Sequence, residues 1–175
     1  MSQAEKNYNV LLLPQYLLYL STHFRFSSAF PLTQLVDIMS YEVPTHSNNL
    51  GSGQFYNPES SSVVVYNFHS LYSQDRFFIF TQPSYFIDGC DNSQSVSNSI
   101  SSVAEIYPAA NWLEREVAEL NGVSFSGKKD LRNLMLQYGD ASNPFKKSFP
   151  SIGLKEMFYD PIKDTIVQNP LSVQL

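Results

Sequence analysis

A single cysteine, Cys90, stands in the 175 residues, which excludes an internal disulfide framework and any zinc or iron–sulfur site built from this chain's thiolates alone. Cys90 reads as a small buried hydrophobe. Histidine is nearly as scarce: His23, His46 and His69 are too dispersed to form a local ligand pair, so no metal is expected. Charge is sparse as well, with charged residues at 15% against about 25% in an average globular protein. The 11 Lys+Arg fall short of the 16 Asp+Glu, leaving a net charge of -5. The chain therefore lacks the basic face from which a nucleic-acid binder gains affinity by counterion release, and no nucleic-acid partner is expected. Such a weakly charged surface suits a subunit largely covered by neighbours. No apolar run approaches the ~20 residues needed to cross a bilayer; the longest, Val10 to Leu20, is broken by Pro14-Gln15. It also makes a poor signal peptide, because Lys6 is offset by Glu5 and Ser21-Thr22-His23-Phe24 is a poor cleavage site. The first arginine is Arg25, so no Arg-rich presequence is expected.

What the chain does have is apolar and aromatic mass: 43% hydrophobic residues, with 13 Phe, 11 Tyr and one Trp, enough for one core in one domain. Tyr8 to Leu13 reads as a strand that stops at Pro14, whose missing N–H suits the first turn of a helix running to about Arg25. Leu32 to Val43 reads as a second strand closed by Pro44, completing a β-α-β or split variant unit. Val63 to Phe68 and Arg76 to Thr81, joined by the polar Ser73-Gln74-Asp75, predict a β-hairpin. Between these, Thr45 to Ser62 is loop, and its Gly51-Ser52-Gly53 lacks both the spacing and the following helix of a phosphate cradle.

Pro108 and Gly122 bracket a helix on which Ala109, Trp112, Leu113, Val117 and Leu120 share one arc with Glu116. A carboxylate on that arc must be paired or placed at a subunit contact. Arg115 and Glu119, four residues apart, are placed to pair with each other. Asp130 is a plausible N-cap for a second helix carrying Leu131, Leu134, Met135 and Tyr138 and stopped by Gly139. Asn143-Pro144 and Phe149-Pro150 force an extended path, and residues 156 to 167 form a closing hairpin before an extended tail. The expected fold is α+β: a mixed β-sheet with an N-terminal β-α-β unit, a β-hairpin, a two-helix C-terminal motif and an extended tail. Residues 1–150 would form the domain, and 151–175 a hairpin and tail packing on a partner.

Chemistry is hard to find. Glu114 and Glu116 lie about 200° apart on a helical wheel and cannot converge on one substrate. No nucleophile elbow, Ser/His/Asp signature or Walker sequence occurs. Lys128-Lys129 and Lys146-Lys147 read as solvated loop pairs. No catalytic or cofactor-binding residue is expected.

Five separated blocks nevertheless carry a resemblance: Ala110-Asn111-Trp112-Leu113-Glu114-Arg115-Glu116, Gly122-Val123-Ser124-Phe125, Asp130-Leu131-Arg132, Tyr138-Gly139, and Pro144-Phe145-Lys146-Lys147-Ser148-Phe149-Pro150. In order and spacing they resemble the thirty-kilodalton subunit family of respiratory complex I, also called NADH dehydrogenase subunit 9 or, in bacteria, the C subunit. Weaker similarity runs upstream through Leu35-Val36-Asp37-Ile38, Glu42-Val43-Pro44 and Val64-Val65-Tyr66-Asn67-Phe68. The chain departs from the family pattern at Asn121, at Lys128-Lys129 in place of His-Pro, at Asn133 in place of a second Arg, and at Ser148 in place of Asp.

The resemblance implies a noncatalytic peripheral-arm subunit, in the quinone module of proton-pumping NADH:ubiquinone oxidoreductase, that binds no flavin, cluster or nicotinamide itself. Its partners would be the 49 kDa subunit and the neighbouring iron–sulfur subunits, on the matrix side of the mitochondrial inner membrane. The composition would suit a mitochondrial gene. Interface residues implied in this way are Glu114, Arg115, Glu116, Asp130, Arg132, Phe149 and Pro150. An accessory chain of a related membrane-bound hydrogenase and a free-standing soluble binding domain are the alternatives.

Overall fold

The computed structural model describes residues 6–30, 32–44, 60–83 and 99–171. Cys90, His46 and the Gly51-Ser52-Gly53 loop lie outside them. Strand β1 (Asn7–Leu12) stops before Pro14, which opens a single 3-10 turn (Pro14–Tyr16) leading into α1 (Leu17–Phe26). Leu17, Ser21 and Phe24, at helical spacing, are the buried stripe of α1. Strands β2 (Thr33–Pro44), β3 (Ser60–Ser70) and β4 (Arg76–Thr81) complete a four-stranded sheet in the order β1-β4-β3-β2.

β1 pairs parallel to β4, while β3 is antiparallel to both β4 and β2. β1 and β2 therefore run the same way at opposite edges, with the β3–β4 hairpin inserted between them: the split form of the expected β-α-β unit. A register shift between Leu35 and Asp37 changes the alternation of β2, so that Leu35 and Ile38 are both buried. The inner face is aromatic. Phe24 lies 5.4 Å from Phe68 and 5.2 Å from Phe77, and Phe30 lies 5.1 Å from Phe24.

The second half is a miniature parallel unit in which β5 (Ser99–Ser101) and β6 (Ser124–Ser126) are connected through α2 (Ala110–Asn121). α2 ends at Gly122, whose φ of 70° permits the left-handed cap. Val103, Tyr107, Ala110 and Val117 join Leu17, Tyr66 and Phe68 in one core. The closing hairpin forms as expected, from β7 (Lys155–Asp160) and β8 (Thr165–Pro170). It is exposed along nearly its whole length, with Met157, Ile162 and Ile166 in the open.

The second helix expected from Asp130 to Tyr138 is absent; that stretch is a series of turns and bends. The cause lies in α2. A helix over these residues would need the carbonyls of Arg132 and Asn133 as acceptors and the amides that follow as donors. Instead Arg115 donates from Nε to the Arg132 carbonyl at 2.8 Å and from Nη2 to the Asn133 carbonyl at 3.1 Å. Glu119 accepts from the amides of Leu134 at 2.8 Å, Met135 at 3.0 Å and Leu136. The two side chains expected to pair with each other hold the following segment jointly, and its local helical preference is overridden.

Candidate functional site

The ends of β5 and β6 converge on one buried carboxylate. Glu114, fully buried in α2, accepts from the Ser102 hydroxyl at 2.6 Å and the Val103 amide at 2.8 Å, just beyond β5. From just beyond β6, Lys128 reaches the same carboxylate at 3.1 Å, its side chain only 1% exposed. The Lys128 ammonium also donates to the Asn111 carbonyl at 2.9 Å and to Asn111 Oδ1 at 3.1 Å, so all three protons have acceptors. The buried Tyr66 phenol has no hydrogen-bond partner among the described residues. Burial first, and then the Glu114 carboxylate, push its pKa well above the ordinary value.

This changes two readings. The carboxylate on the apolar face of α2 is Glu114, with Ala110, Val117, Leu120 and Asn121, whereas Trp112 is 60% exposed and Glu116 half-buried. Trp112, the largest apolar side chain on the helix, faces outward, and the buried arc is therefore centred on Glu114 and not Glu116. Lys128 is not a solvated loop residue: its charge is neutralised inside the fold, while Lys129 is exposed and paired with exposed Glu105 at 2.7 Å.

The second cluster is the clamp on 130–136. Asp130 accepts from Arg132 Nε and Nη2, both at 2.9 Å, and from the Arg132 amide at 3.3 Å; Arg115 Nη1 lies 3.7 Å away. The Arg132 side chain, then its amide, hold the Asp130 carboxyl far below the usual range. The Arg115 guanidinium stands over the Trp112 ring at 5.3 Å. For Glu119, desolvation acts upward, but the three loop amides and Arg115 outweigh it and the pKa is lowered. A carboxylate depressed in this way stabilises the fold above its unfolded pKa, and that stability is lost as pH falls through the folded value. Glu119→Ala is expected to speed amide exchange at residues 134–136 by at least about tenfold at neutral pH, the equivalent of one hydrogen bond to a charged group. Acidification should give wild type the same loosening, measured by hydrogen–deuterium exchange as a fall in protection relative to the intrinsic rate at each pH; unchanged protection in both cases would remove the clamp.

Glu114 and Arg115 are thus engaged within the chain, and Asp130 and Arg132 with each other. Glu116 makes no hydrogen bond or ion pair among the described residues. Phe149 is half-buried in a turn whose amide reaches the Lys146 carbonyl at 3.0 Å, and Pro150 is exposed. The cleft bounded by Arg115, Glu119, Leu131 and Arg132 holds about 130 Å³, below the ~300 Å³ lower end of small-molecule sites. Among the described residues no three His, Cys, Asp or Glu side chains are grouped to hold a metal. Among the described residues no helix is long and apolar enough to cross a membrane.

Fold and site together define an α+β scaffold whose polar side chains bind its own backbone. Residues 12–155 match the family described as "Respiratory-chain NADH dehydrogenase, 30 Kd subunit", and the chain belongs to that family. It is 42% identical over 76 residues to the C subunit of NADH-quinone oxidoreductase from Thiobacillus denitrificans, covering 43% of this chain and 38% of that protein. It is 33% identical over 149 residues to the "NADH-ubiquinone oxidoreductase 30.4 kDa subunit, mitochondrial" of Neurospora crassa, covering 85% of this chain and 44% of that one. The chain thus spans less than half the length of either relative. In fold it is also similar to a chain from the structure of the membrane-bound sulfane sulfur reductase, an archaeal respiratory membrane complex, with a TM-score of 0.51 and 19% identity over 82% of this chain and 69% of that one.

Proposed function

We propose that the chain is a noncatalytic peripheral-arm subunit of proton-pumping NADH:ubiquinone oxidoreductase, supporting assembly and the quinone-site subunits and carrying no cofactor of its own. The observation that carries this reading is the family match over residues 12–155. The internal engagement of Glu114, Arg115, Glu119 and Lys128 adds support, since each is held by its own fold. Its location in this reading is the matrix side of the inner mitochondrial membrane; a relative named as mitochondrial supports the mitochondrial part of it. The partners would be the 49 kDa subunit and neighbouring iron–sulfur subunits. The closing hairpin fits the reading, because an isolated two-stranded hairpin is marginal in water and this one presents apolar side chains to solvent.

Native gels test it: the chain should comigrate with NADH dehydrogenase activity. Comigration with hydrogenase activity, or a small free species, overturns it. Half-buried Glu116, without a partner in its own chain among the described residues, would take its counter-charge from the neighbouring subunit. Glu116→Ala should then weaken assembly by about 1.5–3 kcal/mol, the range for a hydrogen bond to a charged group. Flavin-site reduction of an artificial acceptor, per assembled complex, should stay near normal. Full assembly with normal quinone reduction would remove the role of Glu116.

A further inference from the structure

We propose that residues 127–150 form a preshaped docking ridge, fixed by Arg115 and Glu119, for a protein face that is acidic and recessed to accept apolar side chains. This rests on the subunit reading above and adds which surface docks and what chemistry it meets. The described stretch has no regular secondary structure, yet its backbone at 132–136 is held by five hydrogen bonds from two side chains of α2. Along the same side, the Phe145 amide donates to the Leu120 carbonyl at 3.0 Å, and the Lys147 amide to Glu42 of β2 at 2.6 Å.

A segment tied down so thoroughly could turn all its apolar groups inward, but even Leu134, Leu136 and Phe149 are only partly covered. Leu131, Met135, Tyr138 and Phe145 stay exposed, as does Trp112 beside Arg115. Large apolar side chains displayed on an ordered backbone are the mark of an interaction surface, and ordering before docking removes an entropic cost of binding.

Charge identifies the occupant. In a chain of net charge -5, residues 127–150 hold five of the 11 Lys+Arg (Lys128, Lys129, Arg132, Lys146 and Lys147) and two of the 16 Asp+Glu (Asp130 and Asp140). Of these cations, Lys128, Lys129 and Arg132 face carboxylates of their own chain, while Lys146 and Lys147 have no ion pair among the described residues. An acidic protein face complements that balance. An anionic lipid surface suits it less. Two lysines without an ion pair contribute little at such a surface, and a fluid bilayer has no use for a fixed backbone shape.

The test follows the full chain and its complex with two surface variants, Leu131→Ser/Met135→Ser and Lys146→Glu/Lys147→Glu, and one positioning variant, Arg115→Lys. Leu131→Ser/Met135→Ser should leave the melting temperature of the free chain unchanged, and both surface variants should lower the assembled fraction on native gels about tenfold, the size of a modest interface hot spot. The charge-reversed variant should also lose the salt sensitivity of assembly. Arg115→Lys keeps the charge but loses the two-carbonyl grip. It should raise amide exchange at 134–136 and lower assembly, with an effect not additive to that of Leu131→Ser/Met135→Ser. If wild type comigrates with the complex and both surface variants assemble normally, the ridge is wrong while the subunit reading stands; if wild type does not comigrate, the subunit reading itself fails. Loss of a homodimer in the surface variants, seen by light scattering, would make the occupant a second copy. Wild-type capture by phosphatidylcholine–cardiolipin vesicles, abolished by Lys146→Glu/Lys147→Glu, would make it lipid. Either outcome overturns the proposal.

Discussion

Replacing Lys128 with Met is expected to destabilise the chain by about 3–5 kcal/mol, the usual result of leaving one member of a buried ion pair alone. The Lys128 ammonium is almost wholly shielded from water, 3.1 Å from the equally buried Glu114 carboxylate. Its removal leaves Glu114 with the Ser102 hydroxyl and Val103 amide as donors but no counter-charge, near a Tyr66 phenol that has no partner among the described residues. The Asn111 carbonyl and Oδ1 also lose their donor, which loosens the loop after β6 from α2. The urea midpoint should fall with the m-value unchanged. Pairing the change with Glu114→Leu should recover most of the loss, because an apolar pair of similar volume often does as well as a buried ion pair. A single-variant loss below about 1 kcal/mol would mean that water or another group reaches Glu114 and the pair is not isolated.

The position of this pair shows where reading from sequence stops. Strand β1, helix α1 and the β3–β4 hairpin were legible because Pro14, the Leu17-to-Phe24 spacing and the β-branched and aromatic runs are local signals that the tertiary fold agrees with. The parallel pairing of β1 with β4 has no local signal, since it depends on inserting a hairpin between two edges. The 130–138 stretch misled because its apolar spacing is helical while its hydrogen-bonding groups are taken by Arg115 and Glu119, fifteen or more residues earlier. For α2 the period was right and the phase wrong: Trp112 carries the greatest hydrophobic weight on the helix but faces outward, and Glu114 is tolerated inside because Lys128 arrives from just beyond the next strand. The family blocks were legible as residues. Their roles needed the geometry, which places Glu114 and Arg115 within the fold and leaves Leu131, Met135 and Tyr138 facing out.

The other large effect expected is at Phe68, where Ala should cost about 3–5 kcal/mol. Phe68 sits in β3 with no exposed surface, and its ring meets Phe24 of α1 at 5.4 Å, Tyr66 at 6.4 Å and Tyr107 of the second unit at 5.3 Å. It therefore bridges the split β-α-β sheet and the β5-α2-β6 unit, and the cavity left by its removal would open between them. The void would have little means of closing, since Tyr66 and Tyr107 would have to turn towards it buried hydroxyls that have no partner among the described residues. Phe68→Leu, which keeps most of the apolar volume, should lose distinctly less, and Phe68→Tyr should be poorly tolerated for want of a partner for the added hydroxyl. Urea unfolding of the three variants measures this order. In the assembled complex the same substitutions should act more weakly, because binding to neighbours favours the folded chain by mass action. A Phe68→Ala chain with a wild-type urea midpoint would show that the two units hold together through some other contact.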